Sequence, residues 1–145
     1  MTTQSTFCAL SIVAAGWLAL NSAACAETIT FNAKLDAASE VPASASTGSG
    51  SVAASFDTGT KTLAWTGSFS GLTGDATAAH FHGPAVTGAN SAVAVPIASF
   101  KSPFTGTAPL TDAQVADLFA GKWYVNIHTA KFPNGEIRGQ LVNDK

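Results

Sequence analysis

The chain has 145 residues, a formal net charge of -2 and 11% charged residues, with neither a basic nor an acidic run. Nucleic-acid binding needs a clustered positive surface, so the composition excludes nucleic acid as an expected partner. The length favours one domain and is sufficient to bury a real hydrophobic core.

The chain begins with an uncharged apolar run at residues 7–20, followed by small residues that end in Ala24-Cys25-Ala26. This order is typical of a signal peptide with an A-x-A-like cleavage site, although no Lys or Arg precedes the run. We expect residues 1–26 to be a signal peptide and residues 27–145 to be the mature domain, which would be periplasmic or secreted. The run is short for a membrane anchor, since a span needs about 20 residues, so no membrane span is expected after cleavage.

Both cysteines, Cys8 and Cys25, fall in the expected signal peptide. The mature domain is then free of cysteine, which excludes a disulfide framework, a thiolate nucleophile and a cysteine-ligated zinc. A lipid-modified Cys25 is the alternative, but the residues before it lack the large aliphatic side chain expected of such a site.

The first half of the domain carries three strand patterns. Residues 27–37 alternate apolar and polar side chains, which predicts a strand with one buried face. A Ser/Gly/Pro-rich loop follows at residues 38–50. Residues 50–57 and 61–72 are two further predicted strands, and the Asp and Gly between them predict a tight turn and a β-hairpin.

The middle of the domain is less regular. The next predicted strand, residues 75–85, is stopped by Gly83-Pro84. Residues 93–100 contain Pro96, which restricts that segment to an edge strand or a bulged strand. Residues 101–110 are predicted to be irregular.

One helix is clearly signalled before the last two strands. Thr111, followed three residues later by Gln114, forms a capping box, and Gly121 is suited to end the helix. Residues 122–129 and 136–142 are the last predicted strands, joined by a Pro-Asn-Gly turn. About seven short strands and one short helix in a connection predict an all-β fold, either an antiparallel Greek-key β-sandwich or a Greek-key barrel.

Strand alternation gathers polar side chains on one face of the predicted sheet. His80 and His82 lie opposite the apolar Phe81, and the polar residues of the 122–129 strand lie opposite its apolar ones. Tyr124 lies on the same face of its strand as Asn126 and His128. If these strands neighbour each other and the closing strand, one polar patch results, made of His80, His82, Asn126, His128, Glu136 and Arg138. That adjacency is an expectation, because nothing local in the sequence fixes it.

The histidines are the strongest chemical signal, since the chain holds only three. Two histidines at i and i+2 on a strand have Cα atoms about 6.6 Å apart, so both rings can reach one ion with bonds near 2 Å. His128 would complete a set of three nitrogen ligands, which suits Cu(II) or Zn(II). Asn126, Glu136 and backbone carbonyls are candidates to orient the ligand rings.

A structural role is equally open, because the outward face of a strand is normally polar and His128 can cap a strand end with a hydrogen bond. Glu136 and Arg138 lie two apart on one face and are able to pair, a contact usually worth under about 1 kcal/mol at a surface. The chain has no G-x-S-x-G motif, and no catalytic residue is assigned. Enzyme activity is therefore left undecided, and a binding role is favoured.

The segments "AAHFHGPA" (78–85) and "YVNIHTAKFPNGEIRGQL" (124–141), with a helix just before the second, resemble the CHRD domain family, named after chordin and found in many bacterial exported proteins. The resemblance covers about residues 28–141. It implies an all-β sandwich similar to immunoglobulin or superoxide dismutase domains, and no settled biochemical role. The motif positions are His80, His82, Gly83, Pro84, Tyr124, Asn126, His128, Gly135, Glu136, Arg138 and Gly139.

The H-x-H strand is also similar to the paired copper ligands of Cu/Zn superoxide dismutases. This chain lacks the disulfide and the zinc loop of those enzymes, so the likeness does not extend to dismutase activity. Three hypotheses remain. The first is an exported binding module with a Cu(II) or Zn(II) site, the second a metal-free protein-interaction or structural domain with an unknown protein partner, and the third a copper-dependent oxidoreductase.

Overall fold

The computed structural model describes residues 26–144, so the expected signal peptide lies outside the described residues except for Ala26. The described part forms nine strands and one helix. In chain order these are β1 (Thr28–Asp36), β2 (Ser49–Asp57), β3 (Thr62–Ser70), β4 (Ala76–His82), β5 (Val93–Pro96), β6 (Phe104–Pro109), α1 (Asp112–Phe119), β7 (Tyr124–Thr129), β8 (Ile137–Gln140) and β9 (Val142–Asn143). No helix within residues 26–144 is both long and apolar enough to cross a membrane.

The strands pair antiparallel in one sheet, with the order β5-β4-β7-β8-β1-β2-β3-β6 and with β9 on β1. β3 and β4 are far apart in this order, yet the rings of Trp65 and Phe81 meet with their centroids 5.0 Å apart. The sheet therefore curls around the core like a nearly closed barrel. The all-β antiparallel fold with one short helix is confirmed, but the Greek-key sandwich is not, because one continuous sheet replaces two facing sheets.

Most of the predicted strands form where the alternation places them. The predicted hairpin pairs β2 with β3 over their whole lengths, from Ser49 opposite Ser70 to Asp57 opposite Thr62. β5 lies at the edge of the sheet, as Pro96 predicts.

The prediction that residues 101–110 are irregular is wrong, because β6 lies within them and pairs with β3. Phe104 is the only large apolar residue of β6, so the strand carries little alternation of its own. The neighbouring strand β3 provides the packing that the sequence of β6 does not indicate. Gly106 lies beneath the ring of Trp65, where a Cβ atom would collide with the indole.

The helix begins at the predicted capping box. The Thr111 hydroxyl accepts from the Gln114 N–H, and the Gln114 side chain accepts from the Thr111 N–H at 2.9 Å. Phe119 contacts the rings of Phe31 and Phe56 edge-on, with centroids 5.6 and 5.7 Å away. The helix therefore packs onto the apolar side of β1 and β2 immediately before the chain enters β7.

Candidate metal site

The strand register places the three histidines together. β4 and β7 pair antiparallel, with Ala78 opposite His128 and His80 opposite Asn126. His80 and His128 are therefore diagonal neighbours on one face of the sheet, which brings their side chains within reach of each other. His82 follows on the same face two residues later. The expected adjacency of the two strands is confirmed.

The three rings converge on a small volume. His80 Nδ1 lies 3.1 Å from His128 Nε2, and the ring centroids of His80 and His82 are 5.5 Å apart. One nitrogen from each ring lies within 4.8 Å of the other two. Two ligands with bonds near 2 Å to one ion are at most about 4 Å apart, so the His80–His128 contact fits and the full set needs a shift of less than about 1 Å.

The polar face that carries the histidines is buried. Asn126 is 3% exposed, His82 and His128 are each 8% exposed, and Arg138 is 1% exposed. His80 is the half-buried member of the three, so solvent reaches the cluster beside it. A solvated outer strand face, the simplest structural role for these residues, does not describe them.

Backbone carbonyls fix the hydrogen positions on two of the rings. His82 Nδ1 lies 3.0 Å from the Ser91 carbonyl oxygen, and His128 Nδ1 lies 2.9 Å from that of Pro133. A carbonyl only accepts, so Nδ1 carries the hydrogen in each neutral ring and Nε2 keeps its lone pair. Metal-ligating histidines in proteins have the same arrangement, in which the other ring nitrogen donates to a carbonyl or carboxylate.

Asn126 contacts the nitrogen of His82 that an ion would use. Its Oδ1 lies 3.1 Å from His82 Nε2. The contact suits either a doubly protonated ring or an amide rotated by half a turn so that its NH₂ group donates. In both arrangements an ion that binds His82 Nε2 displaces Asn126.

Burial favours the neutral form of all three histidines. It lowers the pKa of His80, and the neighbouring His128 and His82 lower it further. It also lowers the pKa of His82 and of His128, although hydrogen bonds to Ser91, Asn126 and Pro133 oppose the effect. The lowered pKa values favour the neutral imidazole, which is the form that binds a cation.

A stack of planar groups holds the His82 ring. Its plane lies 3° from that of Tyr124, with the centroids 4.7 Å apart. The Arg138 guanidinium lies 3.4 Å from the centre of the Tyr124 ring, a cation–π contact. Arg138 also donates to the Asn90 side chain at 2.9 Å and to the Ala89 carbonyl at 2.6 Å. These two hydrogen bonds fix the loop between β4 and β5 next to His82.

Glu136 belongs to a different cluster. Its carboxylate accepts hydrogen bonds from the Ser46 hydroxyl, from the backbone N–H and hydroxyl of Thr73, and from the Thr129 hydroxyl. Burial alone would raise the pKa of Glu136, but these hydrogen bonds outweigh it and lower the pKa. Within residues 26–144 Glu136 and Arg138 do not form an ion pair, because each has other partners.

Backbone carbonyls were predicted to orient the rings, but the sequence did not indicate which ones, and they belong to Ser91 and Pro133. The side chain of Glu40 near the site was not predicted. All three lie in loops, and no local pattern predicts how a loop docks on a sheet. Glu40 had one available signal, because it is the single charged residue of the loop at residues 38–50.

A buried polar face with three convergent histidines, carried on a barrel-like antiparallel sheet, defines a small all-β domain with a candidate metal site. The sequence model of the CHRD domain family matches residues 31–141, so the chain belongs to the CHRD domain family. The matched range contains all six residues of the predicted patch. Comparisons with curated proteins and with solved structures give no match.

Proposed function

We propose that this CHRD domain binds one Cu(II) or Zn(II) ion through His80, His82 and His128, and that it acts as an exported metal-handling or metal-stabilised binding module. The observation that carries the proposal is the convergence of one nitrogen from each ring to within 4.8 Å. Backbone carbonyls that orient two of these rings support it, because ordering the ligands in advance lowers the entropy lost on binding.

The donor set decides the class of ion. Three imidazole nitrogens suit copper and zinc, whereas calcium and magnesium are bound mainly by oxygen ligands. His80 is half-buried, so the ion would have one side toward solvent for exchange or for an additional ligand. Export is supported by the apolar run at residues 7–20 and the small residues that follow it.

The test is the metal content of the purified protein after loading with Cu(II) or Zn(II) and removal of free ion. We expect a ratio near one ion per chain, and its loss in the double variant His80→Ala/His82→Ala. The matched control is Thr105→Ala/Thr107→Ala, which changes another pair of residues at i and i+2, exposed on β6. A ratio near zero for both metals in the unaltered protein would contradict the proposal.

A metal-free interaction domain is the second candidate, and the contacts of His82 favour it. Both ring nitrogens of His82 lie within 3.1 Å of a partner in the protein, so the ring is satisfied without an ion. In that case chelators leave the melting temperature unchanged, and His82→Ala costs only about 1 kcal/mol for lost hydrogen bonding.

A copper oxidoreductase would use the same three ligands and an open coordination position. The half-buried His80 is the feature that suits it. Turnover of a redox substrate by the copper-loaded protein distinguishes this function from simple binding, which gives stoichiometric metal without turnover.

A further inference from the structure

Glu40 is a buried carboxylate whose hydrogen bonding is incomplete. It is 6% exposed, and its Oε1 atom has no hydrogen-bond partner among residues 26–144. Buried polar groups are nearly always paired, because leaving one unpaired forfeits the hydration it had in the unfolded chain. A carboxylate kept in this condition therefore calls for a role other than stabilising the fold.

Backbone hydrogen bonds of the loop hold Glu40 in place. The Glu40 N–H donates to the Ala37 carbonyl at 3.3 Å, and the Ser44 N–H donates to the same carbonyl at 3.0 Å. The next residue, Val41, accepts from the Asn90 side chain at 2.9 Å. The position of Glu40 is thus set by the backbone around it, and the carboxylate is available to act on its neighbours.

Gly135 lets the carboxylate approach the site. Its φ of 129° is a backbone conformation that favours glycine, and a Cβ there would collide with Glu40 Oε1. The same Cβ would lie 2.8 Å from Asn126 Nδ2, so Glu40 and Asn126 meet over this glycine. Because Asn126 Oδ1 lies 3.1 Å from His82 Nε2, one amide connects the carboxylate to a candidate ligand.

The charges around the histidines explain why a metal site here needs a nearby carboxylate. Three neutral imidazoles leave the two positive charges of Cu(II) or Zn(II) uncompensated, and the buried guanidinium of Arg138 adds a third positive charge nearby. Glu136 is engaged by hydroxyl and amide donors of its own cluster. Glu40, in contrast, has a carboxylate oxygen without a hydrogen-bond partner among the described residues.

We infer that Glu40 is the counter-charge of the metal site, acting on the bound ion through its buried negative charge. This inference rests on the proposed function. Burial raises the pKa of Glu40 to about 6, against the lowering effects of Arg138, Asn126 and the Val41 backbone, so its charge is held at a cost to stability. A bound cation offsets that cost.

The test compares Glu40→Gln with the unaltered protein and with Glu27→Gln, the same change at an exposed glutamate. We expect Glu40→Gln to weaken Cu(II) binding by about 10-fold or more, the usual effect of losing an outer-shell partner. The melting temperature of its metal-free form should stay the same or rise. The reduction potential of bound copper should also rise, because loss of a negative charge disfavours Cu(II) relative to Cu(I). Glu40→Asp, which keeps the charge, should recover part of the affinity, and Glu27→Gln should change none of these quantities.

Each other outcome has a defined meaning. If the unaltered protein binds copper and Glu40→Gln binds it equally well, the inference about Glu40 is wrong and the three-histidine site stands. If Glu40→Gln loses affinity together with a lower melting temperature of the metal-free form, Glu40 is a structural residue and the inference is again wrong. If the unaltered protein binds neither copper nor zinc, the proposed function itself fails.

Discussion

Two buried glutamates of this domain have opposite surroundings. Glu136 is 0% exposed, and its carboxylate accepts hydrogen bonds from three side chains and one backbone N–H. Glu40 is 6% exposed, and one of its oxygens has no partner among the described residues. Hydrogen bonds lower the pKa of Glu136 despite its burial, whereas burial raises the pKa of Glu40 to about 6.

Burial alone therefore does not reveal the role of a charged residue. The bonds of Glu136 join the loops at Ser46 and Thr73 to the end of β7, so its charge stabilises the fold. Burial raises the pKa of Glu40, and Asn126 lies between Glu40 and the histidine cluster. Completeness of hydrogen bonding separates the two roles.

The largest effect is expected at Glu136. Glu136→Ala should lower the free energy of unfolding by about 3 kcal/mol, because it leaves one buried and three partly buried donors without an acceptor. Ser46→Ala removes one of those hydrogen bonds and should cost about 1 kcal/mol. Urea denaturation of the metal-free proteins measures both values. Equal stabilities of Glu136→Ala and the unaltered protein would remove the distinction between the two glutamates.

The histidine cluster should gain stability only when metal is present. At a free Cu(II) or Zn(II) concentration 100 times the dissociation constant, the folded state should be stabilised by about 2.7 kcal/mol. His128→Ala should abolish this gain, since it removes the partner 3.1 Å from His80. Thermal unfolding with added ion and then with excess chelator checks the expectation. A gain that persists in His128→Ala would place the ion elsewhere.

Glu40 should destabilise the metal-free protein in a pH-dependent way. The pKa of Glu40 is about 6 in the folded protein and ordinarily 4.5. Below about pH 4.5 the carboxyl is protonated in both the folded and the unfolded chain and costs no stability, and the cost grows as the pH rises through 6. Glu40→Gln should therefore be more stable than the unaltered protein at pH 8 by about 1 kcal/mol, a value reduced for solvent screening. The two proteins should converge near pH 4.5. The free energies of unfolding of both proteins at pH 8 and pH 4.5 test this expectation. A difference between them that grows toward low pH would show that the charge of Glu40 stabilises the metal-free fold.

The smallest effect is expected at Tyr124. Its hydroxyl contacts the backbone of Ser91 at 3.3 and 3.4 Å, which is long for a hydrogen bond of an O–H group. Tyr124→Phe keeps the ring that stacks on His82, so it should cost less than about 1 kcal/mol and leave copper affinity unchanged. Titration calorimetry with Cu(II) is the measurement. A large loss of affinity would show that the hydroxyl, rather than the stacked ring, holds His82.

Much of the sheet could be predicted from alternation, because a strand with one buried face has apolar and polar residues at alternate positions. The β2–β3 hairpin could be predicted from its turn, but the order of the strands across the sheet could not, since one continuous sheet and two facing sheets use the same alternation. β6 was missed for a related reason: Phe104 is its only large apolar side chain, and β3 supplies the rest of its environment.

The three histidines could be predicted as a group because they share strand faces. Their burial could not, because it depends on loops that dock from elsewhere in the chain. Ser91 and Pro133 orient the rings through backbone carbonyls, which every residue has, so their identity carries no signal. Glu40 lies in a Ser/Gly/Pro-rich loop, and only its charge distinguished it.

The central claim is that three histidines of one domain share one ion. X-ray absorption spectroscopy of the protein loaded with one equivalent of Cu(II) tests it directly, because it counts the nitrogen ligands and measures their distances. The account predicts a shell that includes three imidazole nitrogens near 2 Å, reduced by one imidazole in His82→Ala. One imidazole or none in the unaltered protein, or a shell unchanged in His82→Ala, would contradict it.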